Sequence, residues 1–176
     1  QEFRRNELNP MTLAHFREIL RYVPNFRGET FVLAVDGDVV KNPNFANLIL
    51  DVGVLRSLSV NVVVVHGIGA QLRKQANECG VLLSNDDGTG ITDDATMELA
   101  LATAGETVQR VLGSFRAACL PAVSTNAVVV RPAGVLDGVD SQNTGKVISV
   151  DVVMLSSLLN QRLVPILPPL GYDHQG

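Results

Sequence analysis

The chain has 176 residues, 46% of them hydrophobic, and carries a formal net charge of −4. This length suits one compact α/β domain or one lobe of a larger one, and the apolar content excludes an intrinsically disordered chain. The negative charge argues against a general nucleic-acid-binding protein, which would present a basic face.

Residues 1–27 are predicted to form an amphipathic helix and a linker. Asn9 suits the N-cap, Pro10 suits the first helical position, and Pro24 is expected to end the helix. Apolar residues recur on one face at helical spacing: Leu13, Phe16, Leu20 and Val23. Such a stripe must dock on another surface.

The first half of the remaining chain alternates strand and helix. A strand from Thr30 runs into a predicted turn at residues 36–38, and a helix follows with apolar residues at positions 45, 48, 49, 52 and 55. The valine run before His66 is typical of a strand buried on both faces, and the helix after it is predicted to end at Gly80. This alternation predicts a parallel sheet.

The second half contains longer loops. A loop is predicted at 83–90, then one or two helices with Thr92 as N-cap and Gly105 as a candidate break. The segments "AVVVRP" and "KVISV" are predicted strands around a turn-rich excursion, and "VDVVMLSSLLNQRLVPILPPLG" is a helix followed by an apolar strand. The predicted class is α/β, a three-layer sandwich with a mainly parallel sheet.

Cysteine use and hydropathy favour a cytoplasmic protein. Cys79 and Cys119 lie far apart without metal-ligand spacing, and we expect reduced thiols in the core or near the surface. No apolar run approaches the roughly 18 residues that a membrane-spanning helix needs, and no signal peptide is visible. We therefore expect no membrane partner and no metal site.

Five segments in order resemble the amino-acid kinase family, and within it the N-acetylglutamate kinase and synthase branch. They are "GETFVLAVDGDVV", "NLILDVGVLRSLSVNVVVVHGIGAQL", "GITDDATMELA", "GVLDGVDSQNTGKVISVD" and "LLNQRLVPILPPLGYDHQG". The resemblance implies that residues 28–176 form the N-terminal lobe, which holds the acyl amino acid, while the nucleotide-binding C-terminal lobe is missing. The chain is therefore expected to be truncated at its C-terminal end.

The first phosphate loop departs from the family pattern. In family kinases the first strand ends in a lysine followed, one residue later, by a glycine pair; here Ala34 stands in place of the lysine and Asp36 in place of the first glycine, with Gly37 retained. Losing one such electrostatic donor costs about 10²–10³ in rate, and a carboxylate adds repulsion.

The second phosphate loop keeps two of three family glycines. It is His66, Gly67, Ile68 and Gly69, where the family has "HGGG". Ile68 is expected to take a negative φ and to fill space that a phosphate needs. The glycines also suit a tight strand-to-helix turn, and His66 also suits a satisfied structural histidine, so both readings stay open.

The expected carboxylate clamp is also missing. Family members that bind acyl glutamate carry an arginine two residues before a Thr-Asp pair; here that position is Gly90, followed by Thr92 and Asp93. The latter two suit a helix cap or a ligand site. Lys41, Arg73 and Lys74 are expected on the surface, and we assign no catalytic residue.

These departures favour a kinase-inactive regulatory and assembly part of an N-acetylglutamate synthase. The resemblance then implies acetyl-CoA as a cofactor of the parent protein and none for this part, an acetyltransferase domain beyond it, self-association through the N-terminal helix and a possible arginine effector. The alternatives are an active N-acetylglutamate kinase and a non-enzymatic amino-acid sensor or assembly module.

Overall fold

The computed structural model describes residues 17–18, 21, 24–84, 90–136 and 138–174, with only the backbone of Leu136. The predicted N-cap at Asn9 and the apolar stripe of the first helix lie outside these residues. Residues 24–26 are helical, so the prediction that Pro24 ends the helical segment is wrong.

The described chain alternates strands and helices over most of its length. The elements are β1 (Thr30–Val35), α1 (Gly37–Lys41), α2 (Phe45–Ser57), β2 (Asn61–His66), α3 (Gly69–Cys79), α4 (Asp94–Ala117), β3 (Ala122–Ser124), β4 (Val128–Pro132), β5 (Val135–Leu136), β6 (Val139–Asp140), β7 (Gly145–Val150), α5 (Val152–Asn160) and β8 (Val164–Leu167). The predicted strands β1, β2, β4, β7 and β8 are confirmed.

The central sheet has the strand order β1-β2-β8-β3, and each neighbouring pair is parallel. Val35 lies opposite His66, and Val64 lies opposite Ile166, so the carboxyl ends of β1, β2 and β8 meet at one edge. The predicted α/β fold with a mainly parallel sheet is confirmed. Ligands of such open sheets bind outside this edge.

The main core lies between one face of the sheet and helices α2 and α4. Its buried members come from these two helices, from α1 and from three strands: Val35, Val40, Phe45, Ile49, Val52, Val62, Val64, Val111, Phe115, Val164 and Ile166. Since side chains alternate along a strand, Val65 and Leu167 point to the opposite face. There they line a cavity together with Val130 and Val147 of the antiparallel β4–β7 ribbon.

Two local predictions in the first half require correction. Residues 36–38 form no simple turn, because Asp36 is the N-cap of α1 and its carbonyl accepts hydrogen bonds from Val39 and Val40. Cys79 and Cys119 are both exposed, so their predicted placement near the surface is confirmed and the core alternative is wrong.

Helix α4 also differs from its predicted form. Its N-cap is Asp93, whose Oδ1 accepts a 2.8 Å hydrogen bond from the Thr96 amide, and Thr92 lies outside the helix. Gly105 does not break the helix, because it lies on the exposed face where the surrounding turns supply its backbone hydrogen bonds. Its cost relative to alanine is only about 1 kcal/mol, which tertiary packing of the other face overcomes.

Candidate functional site

The loops after β1 and β2 touch each other at the carboxyl edge of the sheet. The Gly67 amide donates a 2.8 Å hydrogen bond to the Val35 carbonyl. A β-carbon on Gly67 would lie 3.5 Å from the Gly37 nitrogen and 3.6 Å from Asp36 Oδ1. The six positions that the sequence singled out as phosphate-loop residues therefore belong to one edge, and the Asp36 carboxylate lies beside the second loop.

Gly37 lies where α1 and α3 pack closely together. The Gln71 amide Nε2 donates a 2.9 Å hydrogen bond to the Gly37 carbonyl, and a β-carbon at Gly37 would overlap Gln71 Oε1. Lys41 Nζ donates a 3.0 Å hydrogen bond to the Ala70 carbonyl. Lys41 thus ties the two helices together and does not line the cavity.

Ile68 is the N-cap of α3 and has a φ of −130°, the negative value expected for it. Its side chain is only 7% exposed and packs with Ala100 and Ala104 of α4. It also forms part of the cavity wall. The isoleucine therefore contributes apolar surface where the family loop has a glycine.

The third predicted position, Gly90 to Asp93, contacts the loop around Asn143 and Thr144, which the sequence does not indicate as part of the site. The Thr92 amide donates a 3.1 Å hydrogen bond to Thr144 Oγ1, and Thr144 Oγ1 donates a 3.4 Å hydrogen bond to the Gly90 carbonyl. The Asn143 amide donates to the Thr92 carbonyl at 3.0 Å. These contacts bring together residues about 50 positions apart in sequence.

Gly90 and Thr92 line the cavity, whereas Asp93 does not. The hydrogen bond from Thr96 holds the pKa of the Asp93 carboxyl below its ordinary value. Of the two interpretations given to Asp93, the helix cap is therefore the one that its contacts support.

The cavity has a volume of about 950 Å³ and is enclosed by the sheet edge, the start of α3, the first turn of α4 and the β4–β7 ribbon. Most of its wall is apolar, from Val65, Leu72, Met97, Val130 and Leu167 among others. This size and character are typical of small-molecule sites.

Among the described residues that line the cavity, Asp36 is the only acid and Arg73 the only base. Arg73, expected on the surface, has a side chain that is 43% exposed and also lines the cavity, with its Nη1 3.4 Å from where a β-carbon on Gly69 would lie. Lys74 instead pairs with Glu78 at 3.6 Å on the exposed side of α3. The register between β1 and β2 shows which way position 34 points. Ala34 is paired with Val65 and therefore lies on the cavity face of the sheet. A lysine at position 34 would project from the cavity side, so its absence removes a positive charge there.

His66 lies on the other face of the sheet. Its side chain is 1% exposed, its Nδ1 is 3.3 Å from the Gly67 carbonyl, and its Nε2 has no hydrogen-bond partner among the described residues. Burial lowers the pKa of His66 below its ordinary value, and the contact with Gly67 opposes this shift only in part. A neutral, structural histidine fits this environment.

We expect the free energy of unfolding to decrease as the pH falls below about 6.5, the ordinary pKa of histidine. His66 then stays neutral in the folded chain but becomes protonated in the unfolded chain, so the unfolded state binds more protons. The free energy of unfolding falls by at most about 1.4 kcal/mol per pH unit, and the decrease ends once the pH is below the pKa of His66 in the folded chain. Urea unfolding between pH 7.5 and 5 measures it. In His66→Gln the slope should flatten, and an unchanged slope would show that another group causes it.

The described ranges hold no group of three or more histidine, cysteine or carboxylate side chains that could bind a metal ion. Nor do they include a helix with the length and apolar character that crossing a membrane requires.

Comparison with known proteins gives consistent results. The sequence model of the amino acid kinase family matches residues 29–176. The amino-acid acetyltransferase of Pseudomonas fluorescens (strain SBW25) is 35% identical over 164 residues, which are 88% of this chain and 38% of that protein. The counterpart from Pseudomonas syringae pv. syringae is 34% identical over the same shares. The chain thus spans less than two fifths of these relatives.

Two solved structures are similar as well. One is N-acetylglutamate synthase from Neisseria gonorrhoeae complexed with coenzyme A and N-acetyl-glutamate, with a TM-score of 0.84, 30% identity and coverage of 93% of this chain and 39% of that chain. The other is the same enzyme complexed with coenzyme A and L-arginine, with a TM-score of 0.81, 30% identity and coverage of 93% and 41%.

Proposed function

The chain belongs to the amino acid kinase family, and from this premise we propose that it is the kinase-like part of an amino-acid acetyltransferase and transfers no phosphoryl group itself. The acetyltransferase reaction joins acetyl-CoA and glutamate to give N-acetylglutamate. This part contributes assembly and regulation, with arginine as the candidate effector. The acetyltransferase names of the relatives and the coenzyme A in two similar structures support the parent activity.

The main support for the loss of kinase activity is the distribution of charged side chains around the two loops at the carboxyl edge of the sheet. Phosphoryl transfer spreads negative charge over the transferred group, which cations and backbone donors must neutralise. Here Asp36 lines the cavity at that edge, and Ala34 offers no cation on the same face. Arg73 is the one base among the described lining residues and lies 4.0 Å from Asp38.

The wall of the cavity supports the same conclusion. Ile68 places apolar surface where a kinase needs backbone amides open to phosphate. Gly90 supplies no side chain to bind an acyl-glutamate carboxylate, a task for which a bidentate arginine is suited. Packing accounts for one retained glycine, since a β-carbon on Gly37 would overlap Gln71 Oε1.

Two assays on the intact protein test the proposal. With glutamate and acetyl-CoA we expect N-acetylglutamate to accumulate; with N-acetylglutamate and ATP we expect no acyl phosphate, trapped as the hydroxamate. An active N-acetylglutamate kinase run in parallel is the positive control. Acyl phosphate formed at a rate comparable to that control would contradict the proposal, and absence of both reactions would favour the non-enzymatic sensor.

A further inference from the structure

The two charges of the cavity are placed at the two ends of the loop 67–69. Hypothetical β-carbons lie 3.6 Å from Asp36 Oδ1 at the first glycine and 3.4 Å from Arg73 Nη1 at the last. The Asp36 side chain makes no hydrogen bond or ion pair within the described residues. Arg73 lies near Asp38, but a guanidinium has five N–H donors and can bind a second carboxylate.

These charges do not suit the ligand of a family kinase. N-acetylglutamate carries two carboxylates and no ammonium group, so it would leave Asp36 unpaired beside bound anions. One described cation lines the cavity, and position 90 holds a glycine. A ligand with one positive and one negative group satisfies both side chains.

The rest of the cavity wall is apolar and favours a ligand with an apolar side chain. Val65 and Leu167 project from the sheet, Val130 from the ribbon, and Leu72 and Met97 from the helices. A small aliphatic side chain placed among them would lose contact with water, which favours binding. The volume of about 950 Å³ is ample for a whole amino acid.

We propose that this cavity binds a neutral α-amino acid with an aliphatic side chain. Its ammonium group pairs with Asp36, its carboxylate pairs with Arg73, and its side chain lies against the valines and leucines of the wall. The inference rests on the proposed function, because a cavity that bound nucleotide phosphate at this edge could not use Asp36 in this way. The cavity thereby becomes an effector site of the kinase-like part.

Calorimetric titration of the intact protein with leucine, leucinamide and N-acetyl-leucine tests the proposal. Leucine carries both charged groups, leucinamide lacks the carboxylate and N-acetyl-leucine lacks the ammonium. We expect leucine to bind at least about 10-fold more tightly than either analogue, since each lost charge-assisted contact is worth about one factor of ten or more. N-acetylglutamate should fail to displace leucine.

Variants assign the binding to the cavity. Asp36→Asn should weaken leucine binding about 10-fold while leaving leucinamide the weaker ligand, and Arg73→Gln should remove the advantage of leucine over leucinamide. Asp51→Asn makes the same charge change on the exposed side of α2 and should leave the affinity unchanged.

Three results would overturn the proposal: no leucine binding, an affinity that Asp36→Asn does not alter, or displacement by N-acetylglutamate. Acyl-phosphate formation tests the proposed function separately. If leucine fails to bind while no acyl phosphate forms, only the amino-acid site is withdrawn.

Discussion

Phe115→Ala is expected to lower the free energy of unfolding by about 3–5 kcal/mol. Phe115 lies near the end of α4, its side chain is 0% exposed, and it belongs to the cluster that joins α4 to α2 and the sheet. Truncation removes apolar contacts and leaves a cavity that the packed strands β2 and β8 cannot close. Such a loss is a large fraction of the 5–15 kcal/mol that typically stabilises a domain.

Urea unfolding followed by circular dichroism measures the effect, and Leu101→Ala is the matched control. Leu101 lies on the same helix but is 51% exposed, so its truncation should cost much less. Alanine is also the better helix former, and it gains more over phenylalanine than over leucine, so helix propensity cannot cause a larger loss in Phe115→Ala. Equal losses would show that α4 is stabilised by its own helical propensity and not by packing on the sheet.

Local patterns predicted the elements that pack most regularly. The valine run of β2 predicted a central strand, and β2 indeed lies between β1 and β8 with Val62, Val63 and Val64 buried. Helical spacing in α2 predicted the core residues Phe45, Ile49 and Val52. Gly80 ends α3 in the left-handed conformation, as the sequence predicted. In each case neighbouring residues in sequence determine the structure.

Predictions failed where a longer-range contact decides the conformation. A turn was expected after β1, but the hydrogen bond from Gln71 to the Gly37 carbonyl holds a helix there. Gly105 was a candidate break, but the buried face of α4 keeps the helix continuous through it. Thr92 was a candidate cap, but Thr144 holds it outside the helix.

The same contrast between local patterns and long-range contacts explains which parts of the site could be predicted. The family resemblance assigned Asp36 and Gly67 to two phosphate loops, and the structure brings these loops into contact at the carboxyl edge of the parallel sheet. Thr144 and Asn143 were missed because their contacts with the loop before α4 cross about 50 residues. The turn-rich "SQNTG" was the one signal for them, and it indicates a loop without saying what the loop touches.

Gly171→Ala is expected to destabilise the protein by about 1–3 kcal/mol, the usual cost of overpacking. A β-carbon at this position would overlap Val130 Cγ1 and lie 3.1 Å from Val130 Cβ. Val130 also packs closely on Gly145, where a β-carbon would lie 3.3 Å from Val130 Cβ. Its amide also donates a 2.9 Å hydrogen bond to the Tyr172 carbonyl, which fixes the backbone.

Denaturant unfolding of Gly171→Ala, Val130→Ala and the double variant separates steric overlap from other causes. Val130→Ala removes the methyl groups in conflict, so the double variant should lose less stability than the sum of the single variants, by roughly 0.5–3 kcal/mol. If the losses of stability in the two single variants simply add in the double variant, the new β-carbon at position 171 does not conflict with Val130. Both residues line the cavity, so a displaced ribbon should also change its shape. Weaker leucine binding in Gly171→Ala would therefore connect the packing of the β4–β7 ribbon to the proposed ligand site.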